Sequence, residues 1–333
     1  MNNPVAAPFI TMDFTDFGHA QAKTEYYFFK LLQEKFPVRV ADDPDFLLYS
    51  NNSNVHRLYT CKKIYWTSEA YAPDWHECDY ALTHHTLDDP RHLRLPLYAQ
   101  WVKAEDLVRH PGEAEEWYPR KTKFCCFFST YLNRRTQHRG QFFHLLSRYK
   151  RVDAGGKALN NLGFELPFEP QAKLDFLKPY KFYMAFENQS IPGYTTEKIA
   201  EAMIARCVPI YWGNPRVVED FNPKSFINAN DFPSLEALAE RVAEVDRDDA
   251  LYAQYLREPF FHNNQPNEYF SRDRILNFFG RIFQDPTPPL AARRKRLFGR
   301  WLLVKRNPRH RMRIWEGCNT GAAPMTGQKV DFY

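Results

Sequence analysis

The sequence predicts an α/β protein of two doubly wound domains, and three features of its 333 residues lead there. The first is a unit spanning 181–232. Phe182 to Phe186 is a short apolar run, Thr196 to Arg206 has helical spacing, and Val208 to Trp212 is apolar again until Gly213, Asn214 and Pro215 stop it. Two strands joined across a helix in this way run parallel. The second feature is the alternation of short apolar runs with helical stretches through the opening third. The third is a break at Pro111, Gly112 and the acidic cluster Glu113 to Glu116, closed by Pro119, after which a new α/β series begins. The expected divisions are 1–118, 119–288 and a tail at 289–333.

Taken in order, Phe9 to Phe14 is apolar and β-prone enough for a strand, and Thr24 to Phe36 carries aromatics and leucines at helical intervals until Pro37 ends it. Phe46 to Tyr49, Lys62 to Trp66 and Tyr80 to Leu82 read as further short strands. After the break, Lys123 to Phe128 is a strand, Arg139 to Tyr149 a helix, and Arg151 to Asp153 leads into Gly155 and Gly156. Gln171 to Lys178 is a short helix ahead of the central unit, in which Ile199, Ala202 and Met203 share one helical face while Glu197, Lys198 and Glu201 point elsewhere. Leu235 to Val245 and Arg272 to Phe283 have the spacing of surface helices.

Hydrophobic residues are 44% and aromatics 16% of the chain, which excludes a disordered protein. The six cysteines (Cys61, Cys78, Cys125, Cys126, Cys207, Cys318) form no CxxC pair and no metal-ligand spacing, so they read as reduced thiols. No stretch approaches the ~18 apolar residues of a membrane span, and the amino terminus has no basic-then-apolar signal, which predicts a cytoplasmic protein. The net charge of +5 is unevenly spread. Ten Lys and Arg lie between Arg293 and Arg313 with no Asp or Glu among them, and subtracting those ten from +5 leaves −5 on the rest.

The loop Glu187 to Thr196 follows a strand and precedes a helix, the place where open α/β sheets bind ligands. Asn188, Tyr194, Thr195 and Thr196 can hydrogen-bond, Gly193 allows close backbone approach, and Lys198 puts a positive charge on the first helical turn, a set suited to a diphosphate. The run FENQSIPGYTTEKIAEAM, followed by VPIYWGNP and DFNPKSFIN, resembles the donor-binding signature of the α-1,3/4-fucosyltransferases, glycosyltransferase family 10. The resemblance covers roughly residues 40–285. It implies the GT-B architecture, two Rossmann-like domains facing across a cleft.

That resemblance implies inverting transfer of L-fucose from GDP-fucose to a saccharide acceptor, with the 3-hydroxyl of N-acetylglucosamine in a lactosamine-type glycan as the expected position, in the making of a surface glycan such as a lipopolysaccharide O-antigen. It assigns the nucleotide to Tyr194, Glu197 and Lys198, with Asn188 completing the set. Arg139, in a segment similar to the family's, is the arginine assigned to the diphosphate, with Arg134 and Arg135 as alternatives. Glu197 can serve ribose hydroxyls or merely favour the helix terminus electrostatically. The base is assigned to Glu69, in Thr67-Ser68-Glu69; Asp74, Glu77, His84 and His85 are alternatives because the register departs from the family's where Tyr71 precedes Ala72-Pro73. Asp43-Pro44-Asp45 is a formal Asp-x-Asp, but it reads as a turn. Neither a catalytic metal nor a cofactor is expected, since Lys198, Arg139 and a helix dipole supply positive charge.

Two competing readings are the same architecture with another nucleotide sugar, and a nucleic-acid-binding protein acting through the basic tail with Trp301 and Trp315. Against the second, the basic residues form one terminal segment on an acidic body, so no nucleic-acid partner is expected. A helix from Ala291 to Lys305 would set Leu297, Phe298, Trp301 and Leu302 on one side, with basic residues around the rest. That pattern fits an anionic inner membrane face and a lipid-linked acceptor, or equally a strap packed on the first domain.

Overall fold

The computed structural model describes residues 9–18, 21–133, 136–167 and 169–291. The basic stretch 293–313, the expected tail helix, Cys318, Arg134 and Arg135 lie outside these residues.

The first sheet has six parallel strands in the order β2-β1-β3-β4-β5-β6. They are β1 (Ile10–Thr15), β2 (Val38–Val40), β3 (Phe46–Tyr49), β4 (Lys62–Trp66), β5 (Tyr80–Thr83) and β6 (His92–Arg94), with helix α1 (Tyr27–Gln33) between β1 and β2. Both faces are covered, so neighbouring residues of one strand go to different cores. Leu48 packs with Met12, Phe14, Ile64 and Leu82 against Phe28 and Phe29 of α1, whereas Leu47 and Tyr49 pack with Tyr65 and Ala81 on the other side. The helix expected from Thr24 to Phe36 is shorter, because the chain passes through a single 3-10 turn before α1 begins.

The second sheet has five parallel strands, β11-β10-β9-β7-β8. Helices α2 (Tyr98–Trp101) and α3 (Glu113–Trp117) come before it. The rest follow as β7 (Lys123–Phe127), α4 (Gln137–Ser147), β8 (Val152–Ala154), α5 (Pro170–Leu177), β9 (Tyr180–Phe186), α6 (Glu197–Ile204), β10 (Val208–Trp212), β11 (Ile227–Asn228), α7 (Leu235–Arg247), α8 (Asp249–Arg257) and α9 (Arg272–Gln284). Along β9, Tyr183 and Ala185 face Ile199, Ala200 and Met203 of α6, while Phe182, Met184 and Phe186 face Phe142 and Leu146 of α4 and Leu238 and Val242 of α7. The central βαβ unit is thus present with the expected direction.

The cores do not divide at 118 and 288. Tyr98 and Leu107 are buried among Tyr180, Tyr211 and the α6 side chains, so the chain joins the second core directly after β6, and the expected linker at Glu113 to Glu116 is the short helix α3. At the far end α9 returns to the first core. Its Ile275, Leu276, Phe278, Phe279 and Ile282 are buried with Met12, Phe28 and Leu82, and the rings of Phe279 and Phe28 stand 6.0 Å apart. The helix expected on the surface of the second domain thus packs its apolar face on the first sheet. Asp285 then ties the helix end to β4 and β5 through Lys62 (2.7 Å) and the Tyr80 hydroxyl (2.6 Å).

Candidate active site

Because every strand in each sheet is parallel, each sheet gathers its strand-end loops on one edge. At the end of β9 the chain turns into the loop that leads to α6. Glu187 is fully buried (0% exposed), and its two oxygens each accept from Thr196, one from the backbone N–H and one from the hydroxyl, both at 2.7 Å. Thr196 is the residue immediately before α6, so a carboxylate nine residues earlier in the chain fixes the helix origin. The Lys198 ammonium lies 3.2 Å from Glu187 Oε2, 3.2 Å from Glu197 Oε1 and 2.8 Å from the Thr196 hydroxyl. Burial disfavours its charge, but Glu187 and Glu197 outweigh that and hold Lys198 protonated. Burial raises the Glu187 pKa despite Lys198. Burial would do the same to Glu197, yet the Lys198 and Lys173 ammoniums override it and keep that carboxyl well below the usual range.

Arg139 reaches the same place from α4. One guanidinium nitrogen donates to the carbonyl of Phe186 and to Asn188 Oδ1, each at 2.7 Å, a second lies 3.4 Å from Ser129 Oγ, and the buried Nε has no protein partner. Arg139, Asn188, Tyr194, Glu197 and Lys198 therefore converge at one strand end. The structure changes one reading on α6. Glu201, expected to point away from the core, is buried and paired with Lys173 of α5, whose charge reaches Glu197 alongside that of Lys198.

Glu69 stands in the loop after β4, exposed, with no hydrogen bond or ion pair from its carboxylate among the described residues. Its backbone N–H donates to the buried Thr67 hydroxyl (3.0 Å), which in turn donates to Asn51 Oδ1 (2.9 Å). The same loop reaches the second domain through Ser68, whose carbonyl accepts from His84 Nε2, and the His84 ring stands 4.8 Å from that of Tyr194. Burial first, then the charges of Glu187, Glu69 and Glu197, push the Tyr194 phenol up. The alternatives are engaged in holding the first domain together. Asp74 Oδ1 accepts the His76 N–H at 2.8 Å, and Glu77 binds Arg57 (2.8 Å) and the His56 ring (2.9 Å). His84 is fully buried, with Nε2 3.0 Å from the Ser68 carbonyl, and burial pushes it down to about 3; burial also lowers His85.

Four residues with no assigned role complete the arrangement. Asn214 Oδ1 accepts the Gly193 N–H (2.7 Å) and its Nδ2 donates to Thr195 Oγ1 (3.0 Å), Glu187 clamps Thr196, and Arg94 and Asp220 pair beneath the loop. Glu187 and Asn214 lie inside the runs FEN and WGNP, so their signal was in the motif already quoted. Asp220 opens the run DFNPKSFIN and shares that signal, whereas Arg94, 126 residues away, carries none.

A family model described as "Glycosyltransferase family 10 (fucosyltransferase) C-term" matches residues 118–267, and one described as "Alpha-(1,3)-fucosyltransferase FucT N-terminal domain" matches residues 12–101. The chain belongs to glycosyltransferase family 10. It is 30% identical over 262 residues to an alpha-(1,3)-fucosyltransferase from Helicobacter pylori, covering 68% of this chain and 54% of that one. It is 38% identical over 122 residues to a 3-galactosyl-N-acetylglucosaminide 4-alpha-L-fucosyltransferase from Bos taurus, covering 36% and 32% respectively. This family member thus spans about half the length, or less, of these curated relatives. A solved alpha1,3-fucosyltransferase structure with GDP-fucose has the same fold (TM-score 0.69, 24% identity), with 86% of this chain and 94% of that one covered. The GT-B architecture expected for a family member is therefore present.

Asp43 and Asp45 sit at the opposite edge of the first sheet, before β3, where the Thr11 hydroxyl donates to Asp45 Oδ2 at 2.6 Å. Among the described residues no three His, Cys, Asp or Glu are placed to hold a metal ion, and no helix is long and apolar enough to cross a membrane.

Three histidines are kept neutral, chiefly by burial: His84 at about 3, His92 at about 4 and His138 at about 4. An unfolded chain protonates them near 6.5, so between that pH and about 4 the unfolded state binds protons that the folded state refuses. Stability is accordingly expected to fall as pH drops through this window. Melting temperatures recorded from pH 7 to 4.5 should decrease steadily, and a flat profile would contradict the assignment of buried neutral rings.

Proposed function

We propose that the protein transfers L-fucose from GDP-fucose to a saccharide hydroxyl with inversion at the anomeric carbon. The observation that carries this is the convergence of Arg139, Glu197 and Lys198 at the end of β9, together with a first-sheet loop in which the unpartnered carboxylate Glu69 follows Ser68, whose carbonyl accepts from His84, the ring of which stands 4.8 Å from Tyr194. In this reading Glu69 takes the proton from the acceptor hydroxyl as its oxygen bonds to the sugar's C1, and the C1–O bond to the diphosphate breaks on the opposite face. Lys198, Arg139 and the amino end of α6 meet the charge that builds on the departing GDP, and Glu197, held ionised, accepts from ribose hydroxyls. Relatives named for α-1,3 transfer and for an N-acetylglucosaminide substrate support the 3-hydroxyl of N-acetylglucosamine in a lactosamine-type glycan as acceptor.

Incubation with a panel of labelled nucleotide sugars and lactosamine acceptors tests the reading. Product is expected from GDP-fucose alone. Because protein cations stand where the phosphates bind, a chelator should leave the rate within about twofold of the untreated rate. Transfer from a different nucleotide sugar and none from GDP-fucose would overturn the donor assignment, and a rate that collapses with chelator and returns with a divalent metal would overturn the metal-free reading.

A further inference from the structure

The donor loop is not held by its own domain alone. Arg94 ends β6 in the first sheet, and its guanidinium forms a two-pronged pair with Asp220 of the second domain, at 2.7 and 2.6 Å. The pair is almost sealed from water, with the Arg94 side chain 7% and the Asp220 side chain 0% exposed. Two further N–H groups of Arg94 donate to backbone carbonyls on either side of the domain junction: Gly193 in the donor loop (2.9 Å) and His84 at the end of β5 (3.2 Å). Asp220 accepts in addition from the Thr195 hydroxyl at 3.1 Å. Three groups on two domains thus share one buried ion pair.

Gly193 shows how tightly the loop is seated. Its φ is +93°, and a Cβ there would stand 2.2 Å from the His84 carbonyl oxygen, so the loop backbone rests directly on first-sheet backbone. Both passages of the chain between domains meet at the same point. Residues leaving the first sheet do so from Arg94 itself, and on the return Asn267 donates to the Asp220 carbonyl (2.9 Å), Tyr269 lies under the Arg94 guanidinium (4.4 Å) and Arg274 donates to the Arg94 carbonyl (2.8 Å).

We propose that Arg94 and Asp220 are positioning residues for the donor: they fix the Gly193–Thr195 backbone against the first sheet and so hold Tyr194, Glu197 and Lys198 where the nucleotide meets them. A buried ion pair is weak evidence of a stabilising role, since hydrophobic replacement of both partners is often neutral for stability. What such a replacement cannot reproduce here is the set of bonds to the Gly193 and His84 carbonyls and the Thr195 hydroxyl. The binding part of this inference rests on the GDP-fucose reading, but the ordering of the loop does not.

The test uses the full chain carrying Arg94→Met with Asp220→Leu. Its melting temperature is expected to stay near that of the unsubstituted protein. The KM for GDP-fucose should rise by about tenfold or more, with a smaller change in kcat, and the 193–198 amides should exchange hydrogen about tenfold faster or more while β9 and β10 keep their protection. Arg94→Lys, which keeps the charge without the planar fork, should fall between the two and guards against failure of the double variant to fold. Unchanged exchange at 193–198 with an unchanged KM would overturn the proposal and leave the pair as a strap between domains. If the unsubstituted protein transfers nothing from GDP-fucose, the transfer reading fails, and the exchange measurement still decides whether the pair orders the loop.

Discussion

Glu69→Gln is expected to lower kcat by about 10²- to 10⁴-fold, the range for removing a general base, while GDP-fucose binds nearly as before. The substitution keeps the shape and removes only the ability to take a proton. Nothing in the fold should suffer, because the carboxylate is exposed and makes no hydrogen bond or ion pair among the described residues, and the loop is held instead by the Glu69 N–H on Thr67 Oγ1. Isothermal titration with GDP-fucose alongside turnover separates the two effects. If turnover survives within about tenfold, the base must be sought among Asp74, Glu77, His84 and His85, and either carboxylate would first have to be released from the contacts it makes with His76, or with His56 and Arg57.

Lys198→Ala should abolish the rise in melting temperature caused by GDP-fucose and should also destabilise the free protein. The second effect follows from Glu187, which is left as a buried carboxylate without its cation; breaking such a pair costs about 3–5 kcal/mol. Burial already raises Glu187, and loss of Lys198 raises it further, so the folded variant binds a proton that the unfolded chain has given up. The damage is therefore expected to grow as pH increases above the ordinary carboxylate range and to shrink as pH falls toward it. Lys198→Ala with Glu187→Gln should recover stability at neutral pH without recovering the response to GDP-fucose. A lysine single variant that still shows the full ligand-induced shift would remove Lys198 from the donor site.

Legibility differed by element for a physical reason. The strands Phe46–Tyr49, Lys62–Trp66 and Val208–Trp212 have the expected bounds because each contains at least three consecutive β-prone apolar or aromatic residues that carry a local signal. Val38–Val40, His92–Arg94 and Ile227–Asn228 have two or three residues each, too few for any periodicity, and become strands only because a parallel neighbour offers its open edge. His92 and Arg94 are polar residues in buried positions, which a hydropathy reading places outside a sheet.

Local order in the chain determined the βαβ unit, its direction, the loop at the end of β9, and the gathering of Asn188, Tyr194, Glu197 and Lys198 within eleven residues, because hydrogen-bonded crossovers and helix starts are set by neighbours in sequence. Arg139 and Glu69 could be named from the resemblance, but only the folded chain joins the Glu69 loop to Tyr194 through Ser68 and His84 and brings Arg139 to Asn188. The tertiary structure alone decided that α9 covers the first sheet, that Glu201 turns inward to Lys173, and that Arg94 meets Asp220 under the donor loop. Those outcomes depend on which surfaces remain uncovered once two sheets have formed. A stretch of sequence records the apolar face or the charge of a segment, and only the assembled fold supplies the surface or counter-charge that it meets.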